Sequence, residues 1–268
     1  MIWEIKNLLR RFVGRQAIPN PTKVAHTADV RKALAQPNSS MPGIQQDSQL
    51  TAFVERAQKR PVTLSSRELF SLNGHPLPCW REEDVGAVDN WLTSDDYYPL
   101  YYRLFQELSL HFSRPRMLEI GVRTGYAGVA FARGIKGPRT YIGVDPNLYL
   151  PDGLDRARKT FKELRSIDRD FEFNCLFGYS ENPRVQKQLR SLAPFDIIHI
   201  DGDHTMPGKL VDLELCHQLI NSSGFVLVDD YYYIPDVVQE AVGRAFNLGW
   251  YSKYCIVNTF RGMALLQK

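Results

Sequence analysis

Cysteine and long apolar runs are both scarce in this sequence. Its 268 residues include four cysteines, which stand far apart and show neither a Cys-x-x-Cys pair nor zinc-ligand spacing: Cys79, Cys175, Cys216 and Cys255. We therefore expect reduced, buried thiols in a cytoplasmic protein. No apolar run approaches the roughly 18 residues that suggest a membrane-spanning helix, so we expect no integral membrane segment.

Charge of one sign is not in excess either. The chain has 33 basic and 30 acidic residues, a formal net charge of +3, so its charge demands no nucleic-acid partner. Hydrophobic residues make up 44% of the chain and charged residues 24%, which are the proportions of an ordinary globular protein.

The first fifteen residues lack the uninterrupted apolar core of a secretory leader. Charged side chains interrupt Met1–Arg15, whose apolar residues recur at helical spacing: Ile2, Ile5, Leu9 and Phe12. A basic amphipathic helix of this kind can lie on a membrane surface. We favour the alternative that it docks on its own domain or on a neighbouring subunit.

The next segment, residues 16–50, is mostly polar and contains several prolines. This composition predicts an extended arm with a helical turn or two around Ala25–Ala35. We assign residues 1–81 to an N-terminal arm that serves self-association or covers the substrate, and residues 82–268 to the functional domain. An arm of this length favours a homo-oligomer.

Beyond residue 82, buried apolar segments alternate with helical patterns, and two strand-like segments flank a tight turn at the end of the chain. Apolar strands joined by helices indicate a parallel sheet covered on both faces. We predict an α/β fold with a doubly wound, mostly parallel, seven-stranded sheet whose antiparallel strand comes from the C-terminal hairpin. The predicted strands are Arg116–Ile120, Thr140–Val144, Phe171–Phe177, Phe195–Ile200, Phe225–Val228, Trp250–Val257 and Phe260–Gln267.

A glycine turn follows the first of these strands. Glu119, Gly121 and Gly125 lie where the strand ends and a helix begins, so the backbone can approach a ligand and helix N–H groups attract a negative group. A dinucleotide-binding turn would have the pattern Gly-x-Gly-x-x-Gly, but Arg123 stands at the second glycine position. The turn therefore disfavours NAD or FAD and suits a smaller anion, such as a carboxylate.

Polar residues also follow the second and third strands. Asp145, 20 residues after Gly125, is placed to accept hydrogen bonds from ribose hydroxyls. Ser180 follows the third strand, level with the expected position of an adenine. The alternative for Asp145 is an ordinary helix cap. Taken with the glycine turn, the ordered strand ends indicate a nucleoside pocket.

Three carboxylates are predicted to converge beyond the fourth and fifth strands. Asp201 ends one strand, Asp229 and Asp230 end the next, and His204 comes three residues after Asp201. Carboxylates gathered at a strand edge repel one another unless a cation or protons intervene, so the pattern predicts a metal site. The alternatives are that Asp229 and Asp230 cap the following segment and that His204 caps its loop. His199, inside a strand, is more typical of a structural histidine.

The ordered segments EIGVRTG, GVDP, GYS, FDIIHIDGDH and FVLVDDY resemble the class I S-adenosylmethionine-dependent methyltransferases. Within that class the likeness is to metal-dependent O-methyltransferases of the catechol type and the macrolide-sugar type. The resemblance runs from about Arg116 to the C-terminus and implies the Rossmann-like form of the sheet. It also implies O-methyl transfer to a small-molecule hydroxyl acceptor, such as a sugar or a natural-product intermediate, with S-adenosylmethionine and Mg²⁺ or another divalent cation as cofactors.

The resemblance implies roles for the strand-end residues. Asp145 would hold the ribose, Ser180 would lie beside the adenine, and Asp201 would border the cofactor. The loop against the methionine part of the cofactor would be formed by Glu119, Gly121, Arg123 and Gly125.

The carboxylates take catalytic roles in the same resemblance. Mg²⁺ would be bound by Asp201, Asp229 and Asp230, and His204 stands where the catechol type has a lysine base. A divalent cation lowers the pKa of an alkyl hydroxyl, and an imidazole can take its proton. Asp201 and His204 are therefore the predicted catalytic pair.

Other functions stay open at this point. In a metal-independent small-molecule methyltransferase, Asp201 and Asp230 would only orient the acceptor. In a non-catalytic cofactor-binding or assembly protein, the arm would mediate the interaction. An NAD-dependent oxidoreductase is a third alternative, which Arg123 disfavours.

Overall fold

The structure is a computed structural model that describes residues 28–35, 45–80, 97–259 and 261–268. The helix predicted over Met1–Arg15 lies outside these ranges, as do residues 81 and 82, where the boundary between arm and domain was predicted.

Strands and helices alternate along the described chain. The strands are β1 Ser71–Leu72, β2 His75–Pro76, β3 Arg116–Ile120, β4 Arg139–Asp145, β5 Phe171–Phe177, β6 Phe195–Ile200, β7 Ile220–Asp229, β8 Lys253–Val257 and β9 Met263–Gln267. The helices are α1 Ala28–Leu34, α2 Ser48–Lys59, α3 Ser66–Leu69, α4 Tyr98–Ser109, α5 Tyr126–Gly134, α6 Gly153–Ile167, α7 Pro183–Leu192, α8 Met206–Leu219 and α9 Pro235–Asn247. Strands β3, β5 and β6 have the bounds predicted from the sequence.

Seven strands form one sheet in the order β5-β4-β3-β6-β7-β9-β8. Neighbours from β5 to β7 are parallel, and β9 lies antiparallel to both β7 and β8. The predicted Rossmann-like sheet with an antiparallel strand from the C-terminal hairpin is therefore confirmed. Strand β7 begins earlier than predicted, because Ile220 pairs with Phe195 before the polar residues Asn221, Ser222 and Ser223.

Helices cover the sheet on both faces, as the continuous apolar strands require. Buried side chains of α4, α5 and α6 form one core against the sheet, and those of α7, α8 and α9 form the other. Because side chains alternate along a strand, Glu119, His199 and Asp229 face the core under α4. The polar groups of the site are thus set on strands that both cores hold in place.

The described helices before residue 80 pack on the same two cores. Phe53 of α2 stacks on Phe225 of β7 with ring centroids 5.4 Å apart. Glu107 of α4 pairs with Arg56 at 2.7 Å and with Arg60 at 2.6 Å, which ties α2 to α4. On the opposite face, Val30 and Ala33 of α1 are buried. The helices before residue 80 therefore belong to the same two hydrophobic cores as the sheet.

The cysteines are buried and unpaired. Burial raises the pKa of Cys79, Cys175 and Cys255 to about 12, so these thiols stay protonated at neutral pH. Across the described ranges, no helix is both long and apolar enough to cross a bilayer.

Candidate active site

The glycine turn brings the ends of β3 and β6 into direct backbone contact. Gly121 has φ +92°, and a Cβ atom there would lie 2.1 Å from the carbonyl oxygen of Asp201. Gly125, with φ +95°, is the N-cap residue of α5 and offers no side-chain cap to the helix N–H groups. Both positions need glycine, and the first turn of α5 begins without a side-chain cap.

Asp145 connects the glycine turn to the end of β4. Its Oδ2 accepts from the backbone N–H of Arg123 at 2.7 Å, and its Oδ1 accepts from that of Asn147 at 2.6 Å. Burial raises the pKa of the Asp145 carboxyl above its ordinary value, although these two hydrogen bonds lower it. Arg123 has φ +54°, so Asp145 holds a strained residue of the turn in place.

Ser180 lies at the end of β5, and its hydroxyl donates to Oδ1 of Asp212 on α8. Oδ2 of Asp212 is buried without a hydrogen-bond partner among the described residues. Burial raises the pKa of Asp212 to about 7, although the charge of Lys209 and the bond from Ser180 lower it. The predicted adenine-side residue is thus oriented by a buried acid on another element.

Glu119 is occupied by partners inside the protein. Its Oε2 accepts from the Tyr141 hydroxyl, and its Oε1 lies 3.2 Å from Nδ1 of His199, whose Nε2 lies 3.2 Å from the Tyr101 hydroxyl. Burial disfavours the charged imidazole, but the hydrogen bond and charge of Glu119 raise the pKa of His199 above its ordinary value. His199 is a buried, hydrogen-bonded histidine, as expected. Glu119 uses both carboxylate oxygens for contacts inside the protein.

The adjacent carboxylates Asp229 and Asp230 point in different directions. Asp229 ends β7 on the face under α4, where its Oδ2 accepts from the Tyr97 hydroxyl at 2.6 Å. Asp230 has φ +66°, a left-handed conformation that reverses the chain and turns the next side chain away. The strand end therefore presents one carboxylate to α4 and the other to the neighbouring strand end.

Asp201, His204 and Asp230 form one group. Nε2 of His204 lies 3.3 Å from Oδ1 of Asp201 and 3.2 Å from Oδ2 of Asp230. One ligand atom from each residue lies within 4.8 Å of the others, an arrangement that could hold a metal ion. Burial opposes ionisation of Asp201, but the hydrogen bond and charge of His204 hold its pKa well below its usual range.

Asp229 lies outside that three-residue group. Burial and the charges of Asp201 and Asp230 raise the pKa of Asp229 to about 6. Its Oδ1 is buried without a hydrogen-bond partner among the described residues, while Tyr97 occupies Oδ2. Its role as a third metal ligand stays a prediction from the sequence.

Residues 118–231, from β3 to just beyond β7, match the family model described as a methyltransferase domain. This stretch is a methyltransferase domain. The resemblance to the class I S-adenosylmethionine-dependent methyltransferases is thereby confirmed, and the glycine turn, Asp145, Ser180 and the three-residue group all lie within the match. Dependence on a metal ion stays a prediction.

One curated relative extends the likeness beyond the methyltransferase domain. The chain is 26% identical over 168 residues to the O-methyltransferase ankF from Aspergillus thermomutatus, a match that covers 61% of this chain and 66% of that protein. The match thus spans just under two thirds of the relative's length.

Two solved structures are similar to this chain at lower sequence identity. An O-methyltransferase from Bacillus cereus, in complex with SAH, is 16% identical with a TM-score of 0.48, covering 85% of this chain and 94% of its own. The O-methyltransferase TomG from Streptomyces achromogenes, in complex with SAM, is 18% identical with a TM-score of 0.46, covering 84% and 92%.

The site of the methyltransferase domain also contains residues that the sequence patterns did not single out. Arg261, in the turn before β9, forms an ion pair with Asp230. Tyr97, at the start of α4, bonds Asp229, and the Thr124 hydroxyl in the glycine turn is buried without a hydrogen-bond partner among the described residues. One signal was available for Arg261, because an antiparallel strand beside β7 must begin at the carboxyl end of the sheet.

Proposed function

We propose that the protein is an S-adenosylmethionine-dependent O-methyltransferase that methylates a hydroxyl of a small molecule, with a divalent cation as second cofactor. The observation that carries the proposal is the meeting of Asp201, His204 and Asp230 beside the glycine turn of a methyltransferase domain. A methyl donor in the turn would lie next to groups able to deprotonate a hydroxyl and balance its charge.

The cofactor would be held by the ends of β3, β4 and β5. Gly121, Arg123 and Gly125 use their own backbone N–H groups within the fold and let the backbone approach the amino-acid part, whose carboxylate the N-terminus of α5 would favour. Each oxygen of Asp145 accepts one backbone N–H and keeps a lone pair for a ribose hydroxyl. Ser180 borders the adenine side.

The donor set fits a divalent cation. Oδ2 of Asp230 is buried without a hydrogen bond among the described residues. This oxygen and Oδ1 of Asp201 both lie close to Nε2 of His204. Carboxylate oxygens suit Mg²⁺ or Mn²⁺. Asp201 and Asp230 would hold the cation, whose chemistry is to stabilise the negative charge of the acceptor oxygen.

His204 would act as the general base. Its Nε2 faces Asp201 and Asp230, so a proton on Nε2 would leave Nδ1 as the basic atom. Nδ1 is buried and has no hydrogen-bond partner within the described ranges. The two carboxylates would also stabilise the imidazolium that forms when the acceptor gives up its proton.

The acceptor is proposed to be an oxygen-rich small molecule, a sugar or a natural-product intermediate. Adjacent hydroxyl groups would supply the further oxygen ligands that Mg²⁺ requires beyond two carboxylates. Tyr232, directly after the acidic strand end, is 48% exposed and offers an aromatic surface to such a molecule.

Calorimetric titrations with S-adenosylmethionine, S-adenosylhomocysteine and NADH, each in Mg²⁺ and in EDTA, test the cofactor assignment. We expect binding in the micromolar range for the two sulfur nucleosides and none for NADH. Asp145→Ala should weaken binding of S-adenosylhomocysteine by roughly tenfold or more, as expected when hydrogen bonds to a buried charged group are lost. Asp203→Asn, in the half-buried loop after β6, is the matched control. Absence of sulfur-nucleoside binding to the folded protein would remove the basis of the proposal.

A metal-independent O-methyltransferase is the second candidate. Arg261 pairs with Asp230 and neutralises part of the carboxylate charge without a cation. In that case Asp201 and His204 would orient and deprotonate the acceptor by themselves, and methyl transfer would persist in EDTA.

A further inference from the structure

Arg261 is a permanently charged cation in direct contact with Asp230. Its Nε and Nη2 both reach Oδ1 of Asp230. Its guanidinium carbon lies 4.6 Å from the centroid of the Tyr233 ring, and its carbonyl oxygen accepts from the backbone N–H of Tyr232 at 2.8 Å. Backbone and side chain are thus both fixed against the turn that follows β7.

The electrostatic surroundings keep this guanidinium charged. Burial disfavours the charge, but Tyr97 and the carboxylates of Asp230, Asp201 and Asp229 raise the pKa of Arg261 above its usual range. The side chain of Arg261 is 17% exposed and that of Asp230 is fully buried. Solvent therefore screens the pair only weakly.

We propose that Arg261 sets the affinity of the site for divalent cations by acting as a built-in competitor for the charge of Asp230. This inference rests on the proposed role of Asp201 and Asp230 as cation ligands. In the cation-free protein the guanidinium neutralises Asp230, which would otherwise be a buried charge with only His204 beside it. When a divalent cation binds through Oδ2 of Asp230, the guanidinium on Oδ1 opposes it.

Competition follows from the division of one carboxylate between two cations. Arg261 takes Oδ1 of Asp230, and Oδ2 points to His204 and stays available. A guanidinium and a divalent cation on the same carboxylate repel each other at a separation of a few ångströms. Removing the guanidinium charge should tighten cation binding by roughly tenfold or more, because a single and a double positive charge about 5 Å apart repel by that much even at the dielectric constant of water.

The test is a calorimetric titration of the full chain with Mn²⁺ alone and with Mg²⁺ alone, without cofactor or acceptor. Arg261→Gln removes the charge, Arg261→Lys keeps it, and Arg244→Gln removes an equivalent charge elsewhere. Arg244 pairs with Glu240 and with the carbonyl oxygens of Ala33 and Leu34, so it serves as a matched control. Thermal melting with and without Mn²⁺ shows that each variant is folded.

We expect Arg261→Gln to bind Mn²⁺ at least tenfold more tightly than the wild-type chain, and to gain more melting temperature from Mn²⁺. Arg261→Lys and Arg244→Gln should stay within about threefold of wild type. Equal affinities in wild type and Arg261→Gln would overturn the role of Arg261 while leaving the proposed cation site intact. Tight binding by Arg261→Gln alone would support the role of Arg261 and contradict cation dependence of the wild-type enzyme. No binding by either would overturn both.

Discussion

At the scale of single residues, His204 is the side chain on which turnover should depend most. His204→Ala removes the imidazole but leaves the glycine turn and Asp145 untouched. We expect the rate of S-adenosylhomocysteine formation to fall by roughly 10²–10⁴, the usual contribution of a general base, with cofactor affinity unchanged. His217→Ala on α8, beside Tyr251, is the control. A rate close to wild type on an acceptor found by screening would assign the deprotonation to another group.

A second prediction at this scale concerns the contribution of Asp212 to the stability of the protein. Burial raises its pKa in the folded protein to about 7 from an ordinary value near 4, so the folded state holds a proton that the unfolded state has lost. Its contribution is complete below about pH 4 and is lost as the pH rises through about 7. Between pH 5 and pH 7 the free energy of unfolding should fall by roughly 2 kcal/mol relative to Asp212→Asn.

Urea unfolding of the wild type and of Asp212→Asn at several pH values measures this difference. The asparagine keeps an acceptor for the Ser180 hydroxyl but cannot titrate. The substitution therefore removes the pH dependence of the free energy of unfolding that comes from Asp212 and keeps the hydrogen bond. Parallel pH profiles for the two proteins would show that Asp212 is ionised in both states.

At the scale of elements, the backbone contact between the ends of β3 and β6 leaves no room for a side chain at Gly121. A side chain at Gly121 would meet the carbonyl oxygen of Asp201 at 2.1 Å and would need a left-handed backbone. We expect Gly121→Ala to lower binding of S-adenosylhomocysteine by at least roughly tenfold and to cost several kcal/mol of stability. Gly137→Ala is the matched control, because Gly137 has φ +82° but open space around it. Similar losses in both variants would attribute the effect to backbone strain alone.

Elements were also the scale at which the sequence was most informative. The segments that end in Ile120, Phe177 and Ile200 were predicted as strands at their observed bounds. Gly121 and Gly125 were predicted to let the backbone approach a ligand, and both have the left-handed conformation that favours glycine. The division between Asp229 and Asp230 could not be predicted, since it depends on the φ of one residue and on the Tyr97 hydroxyl from a distant helix. Arg261 was missed because its partner is 31 residues away.

At the scale of the whole molecule, α2 should unfold together with the sheet. Phe53 stacks on Phe225 inside the core under α4, so Phe53→Ala leaves a cavity in that shared core. We expect a loss of roughly 3–5 kcal/mol in one transition, followed identically by far-ultraviolet circular dichroism and by fluorescence. Val62→Ala, at a position 51% exposed, should change little. Separate melting of α2 would favour the boundary predicted near residue 81.

A homo-oligomeric, cytoplasmic protein without a nucleic-acid partner stays a prediction.

The buried hydrogen-bonded line Tyr141–Glu119–His199–Tyr101 crosses three strands and ends on α4. None of its members can be replaced alone without leaving a buried polar atom unpaired, which costs about 1–3 kcal/mol each time. Substitution during evolution should therefore proceed in pairs or not at all. In an alignment of related sequences, we expect these four positions to covary more strongly with one another than with their neighbours along the chain.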